Sequence, residues 1–215
     1  MKRTLILLIC LSAIKAYSFA QSSDTLKTKV SKDVGIDLYA VQTPLLSKKF
    51  YGVNWNIKYF PTERIGTGVY ITFSQKKIGD TFTYSIGKPI IYYYEIGWIN
   101  QYNFLQTDRM RVNINLINGL SVSRLGDNAI KEKRYKYRPK EVATNYFYLL
   151  EPGAGFSFKL ISNNQDADLW LTAETNYRFV FGSSKYATTK QFSGYLFGIG
   201  ISIIGFTDEK ERQTK

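Results

Sequence analysis

The chain has 215 residues, of which 44% are hydrophobic and 16% aromatic, and its formal net charge is +12. It contains no histidine and one cysteine, Cys10, so disulfide bonds within the chain and sites that need a histidine ligand or base are excluded. No segment after the N-terminal region approaches the roughly eighteen consecutive apolar residues of a membrane-spanning helix.

The first twenty residues have the three parts of a secretory signal peptide. Two basic residues precede the apolar run 5–11, and the small residues Ser18 and Ala20 occupy the positions that a signal peptidase reads. Ile9 precedes Cys10, where the attachment signal of a bacterial lipoprotein requires a small residue. We therefore predict a signal peptide at 1–20, export of the chain, and a polar periplasmic leader at 21–32.

Eight segments with a period of two follow the leader and are bounded by turn residues. In the segment 110–123, apolar residues occupy nearly every second position and mostly small or polar residues lie between them. Side chains alternate between the two faces of a strand, so this segment is a strand with one apolar face. The predicted strands are 33–42, 50–60, 66–76, 89–104, 109–124, 146–161, 167–181 and 193–206.

The connections between these segments alternate in length. Those at 61–64, 105–108 and 162–166 are short, whereas those after the first, third, fifth and seventh strands are longer. Such a meander places all long connections at one end, and closing it removes both strand edges. We predict an all-β fold, an eight-stranded antiparallel up-and-down β-barrel over 33–206, followed by a polar tail at 207–215.

Two kinds of eight-stranded barrel fit this pattern, and they turn opposite faces to the interior. A soluble, lipocalin-like ligand-binding barrel has its apolar face inside, whereas a transmembrane barrel has it outside against lipid. The polar face here consists largely of Gly, Ser and Asn, which fit a narrow, crowded interior better than a solvated surface. The sequence therefore favours the transmembrane barrel, with the soluble barrel as the alternative.

The polar face also carries charges of both signs in equal number. The acidic residues are Asp37, Glu95, Glu151 and Glu174, and the basic residues are Lys58, Arg111, Lys159 and Arg178. Enclosed charges are costly unless they are paired, so equal numbers indicate an interior charge network. The same balance is also compatible with charges on a solvated face.

Aromatic residues on the apolar face and the last strand give a resemblance. Tyrosine and tryptophan lie near strand ends, as in membrane-interface girdles: Tyr51, Trp55, Tyr59, Tyr92, Tyr94, Trp98, Tyr146, Tyr148 and Tyr177. The last strand, GYLFGIGISIIGF, ends with Phe206 and is similar to the C-terminal signal of outer-membrane barrels, although nine residues follow it. On its signal peptide, its eight-segment meander and this last strand, the chain resembles over 33–206 a small outer-membrane β-barrel protein of the Bacteroidetes type.

The resemblance implies an orientation and a set of partners. Termini and short turns are expected in the periplasm, long loops outside the cell, and the barrel-assembly machinery is the expected partner in biogenesis. The long segment 124–145 is basic, and its candidate contacts to the phosphates of lipopolysaccharide are Lys131, Lys133, Arg134, Lys136 and Arg138. An ordinary solvated loop is the alternative interpretation of this segment.

The sequence predicts a non-enzymatic protein, with no catalytic, cofactor-binding or metal site. Outer-membrane phospholipases, lipid A deacylases and omptin proteases use a histidine in proton transfer, which this chain lacks. An eight-stranded barrel encloses room for side chains and little else, so an open pore is not expected. We expect contact with lipid, lipopolysaccharide or an unidentified envelope protein and not with nucleic acid; anchoring of an envelope or secretion assembly is the membrane alternative.

Overall fold

A computed structural model of the protein describes residues 30–79, 82, 84–132, 135–162 and 167–205. The predicted signal peptide, residues 21–29 of the leader and the tail at 207–215 lie outside these residues. No helix in the described part of the chain is long and apolar enough to cross a membrane.

Eight strands and one 3-10 helix follow one another along the chain. The strands are β1 (Val30–Leu45), β2 (Lys48–Thr62), β3 (Ile65–Lys77), β4 (Pro89–Gln106), β5 (Met110–Glu132), β6 (Tyr135–Ser162), β7 (Ala167–Gly182) and β8 (Gly194–Gly205), and the 3-10 helix (Thr189–Phe192) precedes β8. Each strand has its chain neighbours beside it, and β8 pairs antiparallel with β1 to close the barrel, for example Asp37 opposite Ser202. The predicted eight-stranded barrel is confirmed.

The apolar row of every strand lies on the outside of the barrel. In β5, Ile114 is 53% exposed whereas its neighbour Asn113 is 6% exposed. The same alternation holds in β8, where Ile199 and Ile201 are exposed and Ser202 is buried. An apolar exterior around a polar interior is the arrangement of a transmembrane barrel and the reverse of a lipocalin-like barrel.

The predicted girdle aromatics are all on this outer face, and several pack in pairs. The ring centroids of Tyr177 and Tyr195 are 4.8 Å apart, and those of Phe73 and Tyr94 are 5.1 Å apart. These pairs lie in the halves of their strands that are nearer the long connections.

The first connection is much shorter than predicted. The segment 43–49 was expected to be a long connection, but β1 and β2 are joined by the two-residue turn of Leu46 and Ser47, with φ of 53° and 59°. A two-residue turn with positive φ at both positions is of the type I′ kind, which usually favours Asn-Gly. Here the strain is offset by tertiary contacts, because Leu46 is buried and its N–H donates to the carbonyl of Gln191 at 2.7 Å.

The prediction of a loop over 124–145 was wrong in most of that range. β5 continues to Glu132 and β6 begins at Tyr135, so the segment forms a β-hairpin that prolongs the two strands. Asp127 stands opposite Lys140, and the register shifts between Asp127 and Lys131. Charged residues conceal the alternation in this segment, and pairing with the preceding strand decides its structure.

Candidate functional site

The upper half of the barrel interior, toward the long connections, is centred on a buried arginine. Nε of Arg178 lies 2.5 Å from a carboxylate oxygen of Glu95 and 2.7 Å from one of Glu151. Its Nη1 donates to Oγ1 of Thr43 at 2.9 Å, and the hydroxyl of Tyr70 lies 3.2 Å from an oxygen of each carboxylate. All five side chains are fully buried. This group is called the upper ion cluster below.

A second group of charges lies in the lower half, toward the short turns. Nζ of Lys58 is 2.6 Å from a carboxylate oxygen of Asp37 and donates to Oε1 of Gln101 at 2.7 Å. Gln101 in turn donates to Oδ1 of Asn103 at 2.7 Å. Glu174 lines the same part of the interior and is 8% exposed, and its Oε1 has no hydrogen-bond partner among the described residues.

The remaining two predicted cations lie around Trp170 near the short-turn end. The guanidinium of Arg111 is 4.2 Å from the centre of the Trp170 ring, and Nζ of Lys159 is 5.0 Å from it. Lys159 forms an ion pair with Asp168 at 2.7 Å. Arg111 stacks on the indole and forms no ion pair with any of the four predicted carboxylates among the described residues.

The eight predicted interior residues therefore fall into three groups within the barrel. Their partners Asp168, Tyr70 and Gln101 were missed by the sequence analysis, although each lies on the polar face of a predicted strand. Asp168 precedes Trp170 by two positions, so strand alternation alone would have placed it on the same interior face as Trp170. The alternation along each strand shows which residues lie on the polar face. It does not show which residues of neighbouring strands lie opposite one another.

The connection between β7 and β8 folds into the barrel end and seals it. Phe192 is fully buried, with its ring centroid 4.9 Å from that of Phe147 and 6.2 Å from that of Tyr93. The hydroxyl of Tyr186, on the same connection, lies 2.5 Å from Oγ of Ser123 in β5. Residues 183–193 are called the plug below. The Tyr93 ring lies between the plug and the upper ion cluster, because it stacks against Phe192 on one side and faces the Arg178 guanidinium at 4.8 Å.

The interior beneath the plug has little free space. One cavity of about 10 Å³ remains in the lower half, lined by residues that include Asp37, Arg111 and Glu174. This volume corresponds to about one water molecule. No group of three or more His, Cys, Asp or Glu side chains within the described ranges is placed to hold a metal ion. Among the described residues, the ion clusters, the residues around Trp170 and the plug therefore fill most of the barrel interior.

The β5–β6 hairpin projects beyond the sealed barrel. Asp127 lies seventeen residues after the start of β5, a rise of roughly 40 Å at about 3.3 Å per residue and a tilt of about 40°. The apolar band of an outer-membrane barrel is only about 25 Å tall, so a band that began near Met110 would end before Asp127. Its carboxylate accepts hydrogen bonds from the backbone N–H groups of Gly87, Ala129 and Lys88 at 2.8–3.0 Å. These bonds lower the pKa of Asp127 and attach the β3–β4 connection to the hairpin.

The predicted lipopolysaccharide contacts fall within residues 131–138, which are called the tip segment below. Lys133 and Arg134 lie outside the described residues, as do the side chains of Lys131, Lys136 and Arg138. Nearer the barrel, Glu141 forms an ion pair with Arg124 and accepts a hydrogen bond from Thr144 at 2.5 Å.

The fold is similar to those of solved outer-membrane barrels. Neisserial surface protein A matches with a TM-score of 0.50 and 13% identity over 81% of this chain and 96% of that chain. OprG from Pseudomonas aeruginosa matches with a TM-score of 0.46 and 11% identity over 85% and 100%. Ail of Yersinia pestis, crystallised with the heparin analogue sucrose octasulfate, matches with a TM-score of 0.45 and 13% identity over 82% and 97%. No protein-family model and no curated protein matches the chain.

At 13% identity, the likeness to Neisserial surface protein A establishes the fold and leaves the activity open. In this chain that fold is a closed, eight-stranded antiparallel barrel with an apolar exterior.

Proposed function

We propose that this protein is a non-enzymatic outer-membrane barrel that acts by surface contact, with its β5–β6 hairpin binding the phosphates of lipopolysaccharide. The observation that carries the proposal is the sealed interior, where the plug and the upper ion cluster occupy the space that a channel or an active site would need. With the interior closed, the parts left to act are the lipid-facing surface and the projecting hairpin.

The acidic residues of the hairpin support a basic contact surface. The segment 124–145 has seven basic and three acidic residues. Two of these acids have structural partners, because Asp127 accepts three backbone N–H groups and Glu141 pairs with Arg124. The bases at the tip thus exceed the acids that could neutralise them, as a phosphate-binding surface requires.

Insertion into a membrane is tested by spin labels at two neighbouring positions of β5. A label replacing Ile114, whose side chain is exposed, is expected to collide with oxygen dissolved in the lipid. A label replacing Asn113, which is 6% exposed, is expected to be shielded from it. Reversed accessibilities would show that the apolar face is inside and would overturn the proposal.

Lipopolysaccharide binding is tested with two variants that remove the same amount of charge. The first changes the five tip residues Lys131, Lys133, Arg134, Lys136 and Arg138 to glutamine. The second changes five other basic residues at the same end of the barrel to glutamine: Lys76, Lys77, Lys88, Lys185 and Lys190.

Both variants are placed in phosphatidylcholine nanodiscs and titrated with lipopolysaccharide, before and after removal of its phosphates. Each basic residue near an anionic surface contributes about 1 kcal/mol, so the tip variant should lose at least about tenfold in affinity. Equal losses in the two variants, or binding that does not depend on phosphate, would refute a specific role of the hairpin. The Bacteroidetes affiliation and the assembly machinery as biogenesis partner stay predictions from the last strand.

A further inference from the structure

The β5–β6 hairpin loses its neighbouring strands above the barrel wall. The outermost pair between β4 and β5 is Pro89 with Asp127, and the outermost pair between β6 and β7 is Phe147 with Gly182. Beyond these pairs, the described parts of β5 and β6 form ladder pairs with each other only. The orientation of the hairpin relative to the barrel therefore depends on how its base is attached.

The β3–β4 connection is attached to this base by hydrogen bonds that converge on Asp127. The Asp127 carboxylate accepts the backbone N–H groups of Gly87 and Lys88 at 3.0 Å each. In addition, the N–H of Asn128 donates to the carbonyl oxygen of Lys88 at 2.8 Å. Two of these three bonds between the connection and the hairpin thus end on one side chain.

Asp127 also holds an irregularity in the hairpin itself. The ladder passes from the pair of Asp127 with Lys140 directly to the pair of Lys131 with Pro139, so three residues of β5 between them have no counterpart in β6. The middle one of these, Ala129, donates its N–H to the Asp127 carboxylate at 2.8 Å. Extra residues in one strand bend that strand, so they influence the direction in which the hairpin continues.

We propose that Asp127 is a positioning residue for lipopolysaccharide binding, which holds the hairpin in the orientation that presents its basic tip segment to phosphates. A segment that is free to move loses this freedom when it binds, and the loss weakens binding. By joining the hairpin to the β3–β4 connection, Asp127 removes much of that freedom beforehand. The inference rests on the proposed function, in which the tip segment binds lipopolysaccharide.

The charge of Asp127 separates a positioning role from an electrostatic one. The carboxylate is negative and lies opposite Lys140, so its removal makes the hairpin more basic. If charge alone mattered, Asp127→Ala would bind phosphates more tightly. If Asp127 positions the hairpin, the same change weakens binding.

The first test compares Asp127→Ala with the matched control Glu141→Ala, in phosphatidylcholine nanodiscs titrated with lipopolysaccharide. Both changes remove one carboxylate from the hairpin, but the described partners of Glu141, Arg124 and Thr144, belong to the hairpin itself. Asp127→Ala is expected to bind about threefold more weakly or worse. Glu141→Ala is expected to bind at least as tightly as the wild type. Unchanged or tighter binding by Asp127→Ala would overturn the proposal.

The second test restores the attachment with a disulfide bond. A Cβ atom at Gly87 would lie 3.2 Å from that of Ala129, near the distance of about 3.5–4.5 Å that a disulfide needs. Gly87→Cys and Ala129→Cys are therefore added to Asp127→Ala in a Cys10→Ser background, which leaves no other cysteine. The oxidised protein is expected to recover most of the lost affinity, and the reduced protein is expected to stay weak. Equal affinities of the two forms would contradict a positioning role.

Folding is followed separately, by co-flotation with vesicles and by resistance of the barrel to proteases. Ile86 of the connection and Leu125 and Ala143 of the hairpin belong to one buried apolar cluster, so Asp127→Ala is expected to fold. A wild type without phosphate-dependent binding refutes the proposed function and this inference with it. A wild type that binds, with Asp127→Ala binding equally well or better, refutes the positioning role alone.

Discussion

Replacing Arg178 with methionine removes the only cation of the upper ion cluster while keeping most of its volume. The wild-type guanidinium lies 2.5 Å from Glu95 and 2.7 Å from Glu151, and all three side chains are fully buried. Without it, two carboxylates face each other in an enclosed space. Removing one partner of a buried ion pair typically destabilises a protein by about 3–5 kcal/mol, and we expect a loss of that size for Arg178→Met.

Two further variants show whether the loss comes from uncompensated charge. Arg178→Met combined with Glu95→Gln and Glu151→Gln removes all three charges, and it should recover most of the stability, because neutral groups need no counterion. Arg124→Met removes a cation whose partner Glu141 has a side chain that is 41% exposed, and its effect should be about 1 kcal/mol or less.

Stability is measured as the free energy of unfolding in urea, with the barrel in phosphatidylcholine vesicles and tryptophan fluorescence as the signal. The chain has three tryptophans, one of which, Trp170, is inside the barrel. A loss below about 1 kcal/mol for Arg178→Met, or a triple variant no more stable than the single one, would refute an enclosed ion cluster.

Three other predictions concern the plug, the hairpin and the interior packing. Phe192→Ala should lower the free energy of unfolding by about 3–5 kcal/mol, because it opens a cavity among buried aromatic rings; a loss below about 1 kcal/mol would show that the plug is loosely packed. Because its pKa is lowered, ionised Asp127 contributes stability above about pH 4, and this is lost as the pH falls through its folded pKa. The Lys88 amide donates to the Asp127 carboxylate, so its hydrogen exchange in the wild type should accelerate as the pH falls through the folded pKa of Asp127. In Asp127→Asn the exchange of this amide should show no such acid-dependent step. Gly68→Ala should reduce the yield of refolded barrel, since its Cβ would overlap the backbone of β2, whereas Gly79→Ala, with open space around it, should refold normally.

The interior charges show how far the sequence leads toward the site. Alternation along each strand places Asp37, Glu95 and Arg178 on the polar face, and the structure has them inside. Their grouping depends on how far each strand is shifted against the next around the closed barrel, which no single strand encodes. The sequence therefore predicted four acidic residues that pair with four basic ones. In the structure Lys159 instead pairs with Asp168, and Arg111 stacks on the Trp170 ring.

The connections show the opposite case, in which local pattern was misleading. Leu46 and Ser47 have no turn preference, yet they form a two-residue turn because the plug buries Leu46. In the hairpin, the many charges of 124–145 resemble a loop, but β5 and β6, which pair along the barrel wall, continue to pair through most of this segment.

The sequence by itself determined the number of strands, their order and the outward direction of the apolar face. A period of two is a property of each strand and is visible residue by residue. Only the tertiary structure decided which charges are paired and that the plug covers one end of the barrel. These features arise from contacts between residues far apart in the chain, set by strand register and by the inward fold of the plug.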